Sequence, residues 1–129
     1  MKKKKLFSLS ALVLFFTLTV YAQTPGIKFE KDVHDFDLIR EDGGKVSVTF
    51  EFINNGDAPL IITEVTHACG CTTPDWTREP IPVNGRGFIK VSYEPKGRSG
   101  AFTKSLTVKS NAPEEPVLRI KGTVVPGSK

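Results

Sequence analysis

Beyond residue 22 the sequence has no helical period. It has no apolar run long enough to cross a membrane, no internal repeat or low-complexity tract, and only two cysteines. Each shortage removes a class of protein. The longest apolar run, Leu6 to Val20, is about 15 residues and is interrupted by Ser8, Ser10, Thr17 and Thr19, whereas a spanning helix needs roughly 18 to 20. Without a linker or a repeat, nothing divides the chain into several domains. Positive charge is also scarce once its location is considered. Four of the eighteen Lys and Arg residues are Lys2 to Lys5, and none of the fourteen Asp and Glu residues lies in the first 22, so the remainder carries equal numbers of each sign. No basic field is left to hold a phosphate backbone or an anionic membrane, which argues against nucleic-acid binding.

What the first residues do contain is an export signal. Lys2 to Lys5 precede the apolar run, and Val20-Tyr21-Ala22 supplies small residues at the two positions a signal peptidase inspects. Cleavage is expected after Ala22. No cysteine stands at that point to accept a lipid. Residues 1–22 are therefore read as a signal peptide and residues 23–129 as one domain, long enough to bury a single modest core. The expected location is the periplasm or the cell surface.

Short alternating runs recur between turn residues. In Lys45 to Phe52, Val46, Val48, Phe50 and Phe52 share one face, opposite Lys45, Ser47, Thr49 and Glu51, so this strand is buried on one side. Asn54-Asn55-Gly56-Asp57-Ala58-Pro59 follows as a turn. Leu60-Ile61-Ile62 breaks the alternation and suggests a strand in the middle of its sheet. Gly87 to Tyr93 alternates Ile89, Val91 and Tyr93 inward. Phe102, Leu106 and Val108 mark another strand, on whose apolar face Lys104 falls, either as a strand-end exception or as a side chain snorkelling to water. Val117 to Val125 places Leu118, Ile120 and Val124 inward. Ile27 to Phe29 and Phe36 to Ile39 complete about seven strands, the signature of an all-β, immunoglobulin-like β-sandwich of antiparallel strands.

Phe50-Glu51-Phe52-Ile53-Asn54-Asn55-Gly56-Asp57-Ala58-Pro59-Leu60 resembles the second-strand signature of the abnormal-spindle and hydin type of immunoglobulin-like domain, and of the major sperm protein superfold. Further motifs sharpen the likeness: His34-Asp35-Phe36, Cys69-Gly70-Cys71-Thr72-Thr73-Pro74, Val83-Asn84-Gly85, Gly100-Ala101-Phe102-Thr103-Lys104 and Ser110-Asn111. Together they resemble the bacterial domain-of-unknown-function family 1573 over about residues 28 to 124. That resemblance implies an exported sandwich with no established enzymatic activity. Where the family pattern has a glycine after His-Asp-Phe, this chain has Asp37.

Chemistry concentrates in one segment. Read as an extended chain, Val65, His67, Cys69 and Cys71 project to one side, and an imidazole with two thiols suits copper or zinc, further ligands coming from elsewhere. The competing expectation is a disulfide between Cys69 and Cys71. In an ideal strand their Cα atoms would stand roughly 6.6 Å apart with nearly parallel Cβ vectors, whereas a disulfide wants Cβ atoms about 3.8 Å apart. The chain must therefore bend, and Gly70 offers a place to do so. Closing so small a loop contributes only roughly 1.6 kcal/mol before ring strain is subtracted. Such a bond is a poor staple, and a strained, exposed one is easily reduced, which admits a thiol–disulfide exchange role. The chain nonetheless lacks the thioredoxin helix whose N-terminus would lower a thiol pKa.

Trp76 follows in a proline-bounded loop, packing over one end of the sandwich or serving as a binding anchor. His34 beside Asp35 and Asp37 reads as a solvated edge segment, since no nucleophile motif or glycine-rich phosphate loop stands near. The expected function is a non-enzymatic, exported module for protein binding or envelope assembly without a cofactor. Its partner would be another envelope protein. A copper or zinc carrier using His67, Cys69 and Cys71, and exchange at the Cys-Gly-Cys pair, are the alternatives.

Overall fold

The computed structural model describes residues 22–127. The expected signal peptide, apart from Ala22, lies outside the described residues. Eight strands run in chain order: β1 (Lys28–Phe29), β2 (Val33–Arg40), β3 (Val46–Ile53), β4 (Ile62–His67), β5 (Thr72–Trp76), β6 (Arg86–Tyr93), β7 (Gly100–Ser110) and β8 (Val117–Val125). They form two four-stranded sheets, ordered β1-β3-β6-β5 and β2-β8-β7-β4. The side chains that alternation assigns to the interior fill the space between them. Phe50, Phe52, Ile89, Val91 and Tyr93 come from the first sheet, and Leu106, Val108, Leu118, Ile120 and Val124 from the second. Tyr93 stacks on Phe102 with centroids 4.0 Å apart, joining the layers. Burial at that contact pushes the Tyr93 phenol above its usual pKa, against a smaller opposing effect of Arg98.

The sandwich is as the alternation predicts, with three local differences. The additional strand is β5, which pairs with β6 from Thr72↔Tyr93 to Trp76↔Ile89. Trp76 thus ends a strand instead of sitting in a loop. Secondly, Leu60 to Ile62 do not form a central strand. Leu60 bridges Ile81 while Ile62 pairs with Ser110 on β7, at the outer edge of the second sheet. The apolar residues are consecutive because the chain is changing partners there, and Ile61 is exposed between two buried neighbours.

The third difference is that β2 lies parallel to β8, all other pairings being antiparallel. The β2–β8 register shifts between Asp35 and Leu38. Inside that bulge Asp37 takes φ 57°, a left-handed conformation that costs a residue with a Cβ roughly 1–2 kcal/mol. Its N–H donates to Asp35 Oδ1 at 2.8 Å, a local bond that offsets part of the cost. The bulge explains why a glycine suits this position. Asp37→Gly is therefore expected to stabilise the domain by about 0.5–1 kcal/mol, once the glycine's greater unfolded freedom is subtracted. Chemical denaturation checks it, and Asp37→Val should move the midpoint the opposite way.

Candidate functional site

The Cys-Gly-Cys segment joins the edge strand of one sheet to the edge strand of the other. β4 ends the second sheet and β5 ends the first, so residues 68–71 cross between the layers. Cys69 and Cys71 are joined as a disulfide with Cα atoms 5.2 Å apart. That is shorter than the extended spacing, and the chain bends to achieve it. Two backbone groups support the bend. Thr72 N–H donates to Cys69 O at 3.2 Å, and Cys71 N–H points at Cys69 Sγ, also at 3.2 Å. Gly70 takes no left-handed conformation, and a Cβ there would meet open space. Ring closure and these two bonds, not the freedom of the glycine, shape the turn.

Because of this bend, the expected common face of Val65, His67, Cys69 and Cys71 does not form. Val65 and Cys71 are buried, Cys69 is half-buried and His67 is exposed. The His67 ring turns back on the backbone, its Nδ1 2.9 Å from Cys69 O. Since a carbonyl only accepts, the neutral ring carries its proton on Nδ1. Both sulfurs are bonded to each other. Among the described residues no group of three or more His, Cys, Asp or Glu stands together as a metal site.

The two sulfurs have different surroundings. Cys71 Sγ lies 3.6 Å from Thr72 Oγ1 in the core. Cys69 borders a cavity of about 340 Å³ whose other walls are Ala68, Thr72, Thr103, Lys104 and Ser105. Thus Lys104 is not a strand-end exception. It occupies an inward position of β7 between the buried Phe102 and Leu106, and its half-buried side chain borders this cavity. Sequence reasoning singled out Lys104 for its position on an apolar face, but nothing in the sequence connects it with Cys69.

Trp76 packs against the core, and Arg78 lies over its ring with Cζ 3.7 Å from the centroid. His34 meets Phe36 edge-on at 4.6 Å, on the half-buried face of β2, whereas Asp35 and Asp37 are exposed. The three do not form a base and its orienting acid. A larger cavity of about 530 Å³ is lined by Glu41, Asp42, Gly44, Glu94, Lys96 and Gly127. Its carboxylates already have partners. Glu41 accepts from Gly97 N–H and Ser99 Oγ–H, Glu94 from Lys96 N–H, and Asp42 from Arg40. The Arg40 hydrogen bond holds the Asp42 carboxyl below its usual pKa.

β5 is closed to strand addition. Glu94 N–H to Cys71 O at 2.9 Å and Thr77 N–H to Phe88 O at 3.1 Å set the ladder parity, so that residues 72, 74 and 76 face away from β6. Thr72 N–H is bonded to Cys69 O, Pro74 has no N–H, and Trp76 N–H donates to Asp75 Oδ1 at 2.9 Å. No outward donor remains for a neighbouring strand, a common defence of sheet edges.

Two packed four-stranded sheets in this order make an immunoglobulin-like sandwich. Solved structures share it. A protein of unknown function from Porphyromonas gingivalis W83 superposes with a TM-score of 0.64 at 22% identity, over 80% of this chain and 47% of that one. The PapD-like domain 7 of human CEP192 gives 0.66 at 9% identity, over 79% and 87% of the two chains. The chaperone YadV gives 0.52 at 18% identity, over 79% and 52%. This chain thus spans about half the length of the P. gingivalis protein. No curated protein matches it in sequence. The family model described as "Protein of unknown function (DUF1573)" matches residues 27–124. The chain belongs to that family.

Proposed function

We propose that this chain acts outside the cytoplasm as a non-enzymatic binding module of the cell envelope, taking an extended segment of a partner protein along the open edge of β2. The observation that carries this reading is the contrast between two sheet edges. On β5 the outward donors are spent, whereas β2 has β8 as its ladder neighbour and leaves its other side open among the described residues. Arg119 N–H to Asp32 O and Glu41 N–H to Val125 O set the parity there, so the amide groups of Val33, Asp35 and Leu38 point away from β8. Val33 is 42% exposed and Leu38 71%. Apolar side chains flanking outward main-chain groups are what strand addition uses, hydrogen bonds giving affinity and side-chain pockets giving selectivity.

Export is supported by the Lys2–Lys5 cluster, the apolar run after it and the small residues before Gln23. Among the described residues no helix is long and apolar enough to cross a membrane. The sandwich shared with a solved chaperone is compatible with a protein-binding role.

A tagged domain comprising residues 23–129 should retain a specific protein from a cell-envelope extract. A Val33→Lys, Leu38→Lys variant with an unchanged circular dichroism spectrum should retain at least about tenfold less, the loss expected when about 1.4 kcal/mol of contact is removed. Equal capture by the variant, or no capture by the parent, would refute the proposal.

A further inference from the structure

We infer that Cys69–Cys71 is a redox couple exchanged with a partner dithiol, attacked at Cys69 with Cys71 as the leaving sulfur, and with Lys104 as the residue that stabilises the Cys69 thiolate. This stands on different residues from the β2 edge and does not depend on it.

The first support is position. A disulfide between residues two apart closes too small a loop to restrict the unfolded chain much. The sheets are joined without it, through the shared apolar core and the Tyr93–Phe102 stack. The bond also lies at the surface end of a crossover, with Cys69 half-buried beside a cavity and Cys71 buried. A nucleophile arriving from solvent therefore reaches Cys69.

The second support is charge. Lys104 sits in a core-facing register opposite the fully buried Ile120. None of the ion pairs among the described residues includes it. A half-buried cation with no carboxylate partner is free to pair with a negative charge that forms beside it. The sulfur that shares its cavity is Cys69. Opening the disulfide would place a thiolate there, with Lys104 as counter-charge and Cys71 N–H as donor, and both favour the charged form. These two groups take the part that a helix N-terminus plays in thioredoxin-like proteins.

A thiolate of the partner dithiol attacks Cys69 Sγ and the Cys69–Cys71 bond breaks. Its electron pair leaves on Cys71 Sγ, beside the Thr72 hydroxyl, and takes a proton from water. The partner's second thiol gives up its proton and attacks its own sulfur in the mixed disulfide, releasing Cys69 as a thiolate. The chain has gained two electrons and the partner leaves as a disulfide.

The test uses the purified chain equilibrated with dithiothreitol, followed by acid quench, alkylation and peptide mass spectrometry. The pair should reduce while the circular dichroism spectrum stays unchanged. In the reduced protein Cys69 should be alkylated by iodoacetamide before Cys71, with a pH profile inflecting below that of an ordinary thiol. Lys104→Met should slow Cys69 alkylation at pH 6.5 about tenfold, the effect of a one-unit rise in pKa, and Lys104→Arg should restore it. Reduction only upon unfolding would overturn the inference. So would preferential alkylation of Cys71, or a Cys69 profile indifferent to Lys104→Met.

Discussion

Asn54→Leu is expected to destabilise the domain by about 3–5 kcal/mol. Asn54 is completely buried and polar, and its side chain ties three segments of backbone together. Oδ1 accepts from Gly26 N–H at 3.1 Å and from Gly56 N–H at 3.0 Å, while Nδ2 donates to Ala58 O at 2.8 Å and to Ile81 O at 3.0 Å. Leucine has a similar volume but none of these groups. Gly26 N–H and Gly56 N–H would lose their acceptor, and each unsatisfied buried group costs about 1–3 kcal/mol. Ile81 O would keep the bond from Leu60 N–H. The segment before β1 should loosen first, because Gly26 N–H is part of what holds it to the turn. Urea denaturation measures the loss, and amide exchange at Gly26 and Gly56 locates it. A loss below about 1 kcal/mol would mean that water replaces the amide.

The second large effect concerns Phe52 and Gly87, which face each other across β3 and β6. Phe52 is 1% exposed, and its ring covers the glycine. A Cβ on Gly87 would fall 2.9 and 3.1 Å from ring carbons Cε2 and Cε1, and closer still to Cζ. Phe52→Ala should cost about 3–5 kcal/mol through lost burial and the cavity left behind. Gly87→Ala alone should cost about 1–3 kcal/mol, since a fully packed ring cannot step aside. The two changes combined should cost less than their sum. With the ring gone, the added methyl enters space instead of colliding, and a strand alanine is less flexible unfolded than a glycine. Denaturant midpoints for the four proteins give the coupling, and strict additivity would mean that the ring does not depend on the glycine's bareness.

The strands that pack on one face were legible from their residues. Val46 to Phe52, Gly87 to Tyr93 and Val117 to Val125 alternate, and alternation in an extended segment directly says which side chains are buried. β5 was not legible. Thr72-Thr73-Pro74-Asp75-Trp76 shows no apolar period and has a proline at its centre, so it becomes a strand only through its ladder with β6. The parallel β2–β8 pairing was equally silent, because periodicity carries no information about a neighbour's direction. At the candidate site, the Cys-Gly-Cys spacing said that the chain must bend if the pair is closed as a disulfide, but it did not decide between closure and an extended, metal-binding arrangement. Asp37 illustrates a halfway case: its departure from the family pattern was visible, but its meaning emerged only with the bulge and its positive φ.

By its own periodicity and turn residues, this chain was committed to an all-β sandwich with a known set of inward side chains, because those are properties of short segments. The tertiary structure alone decided which edge is sealed, which is open among the described residues, and that a lysine on β7 shares a cavity with the half-buried cysteine of the β4–β5 crossover. Those depend on ladders and contacts between residues far apart in sequence, where the register of one strand against another determines what each side chain meets.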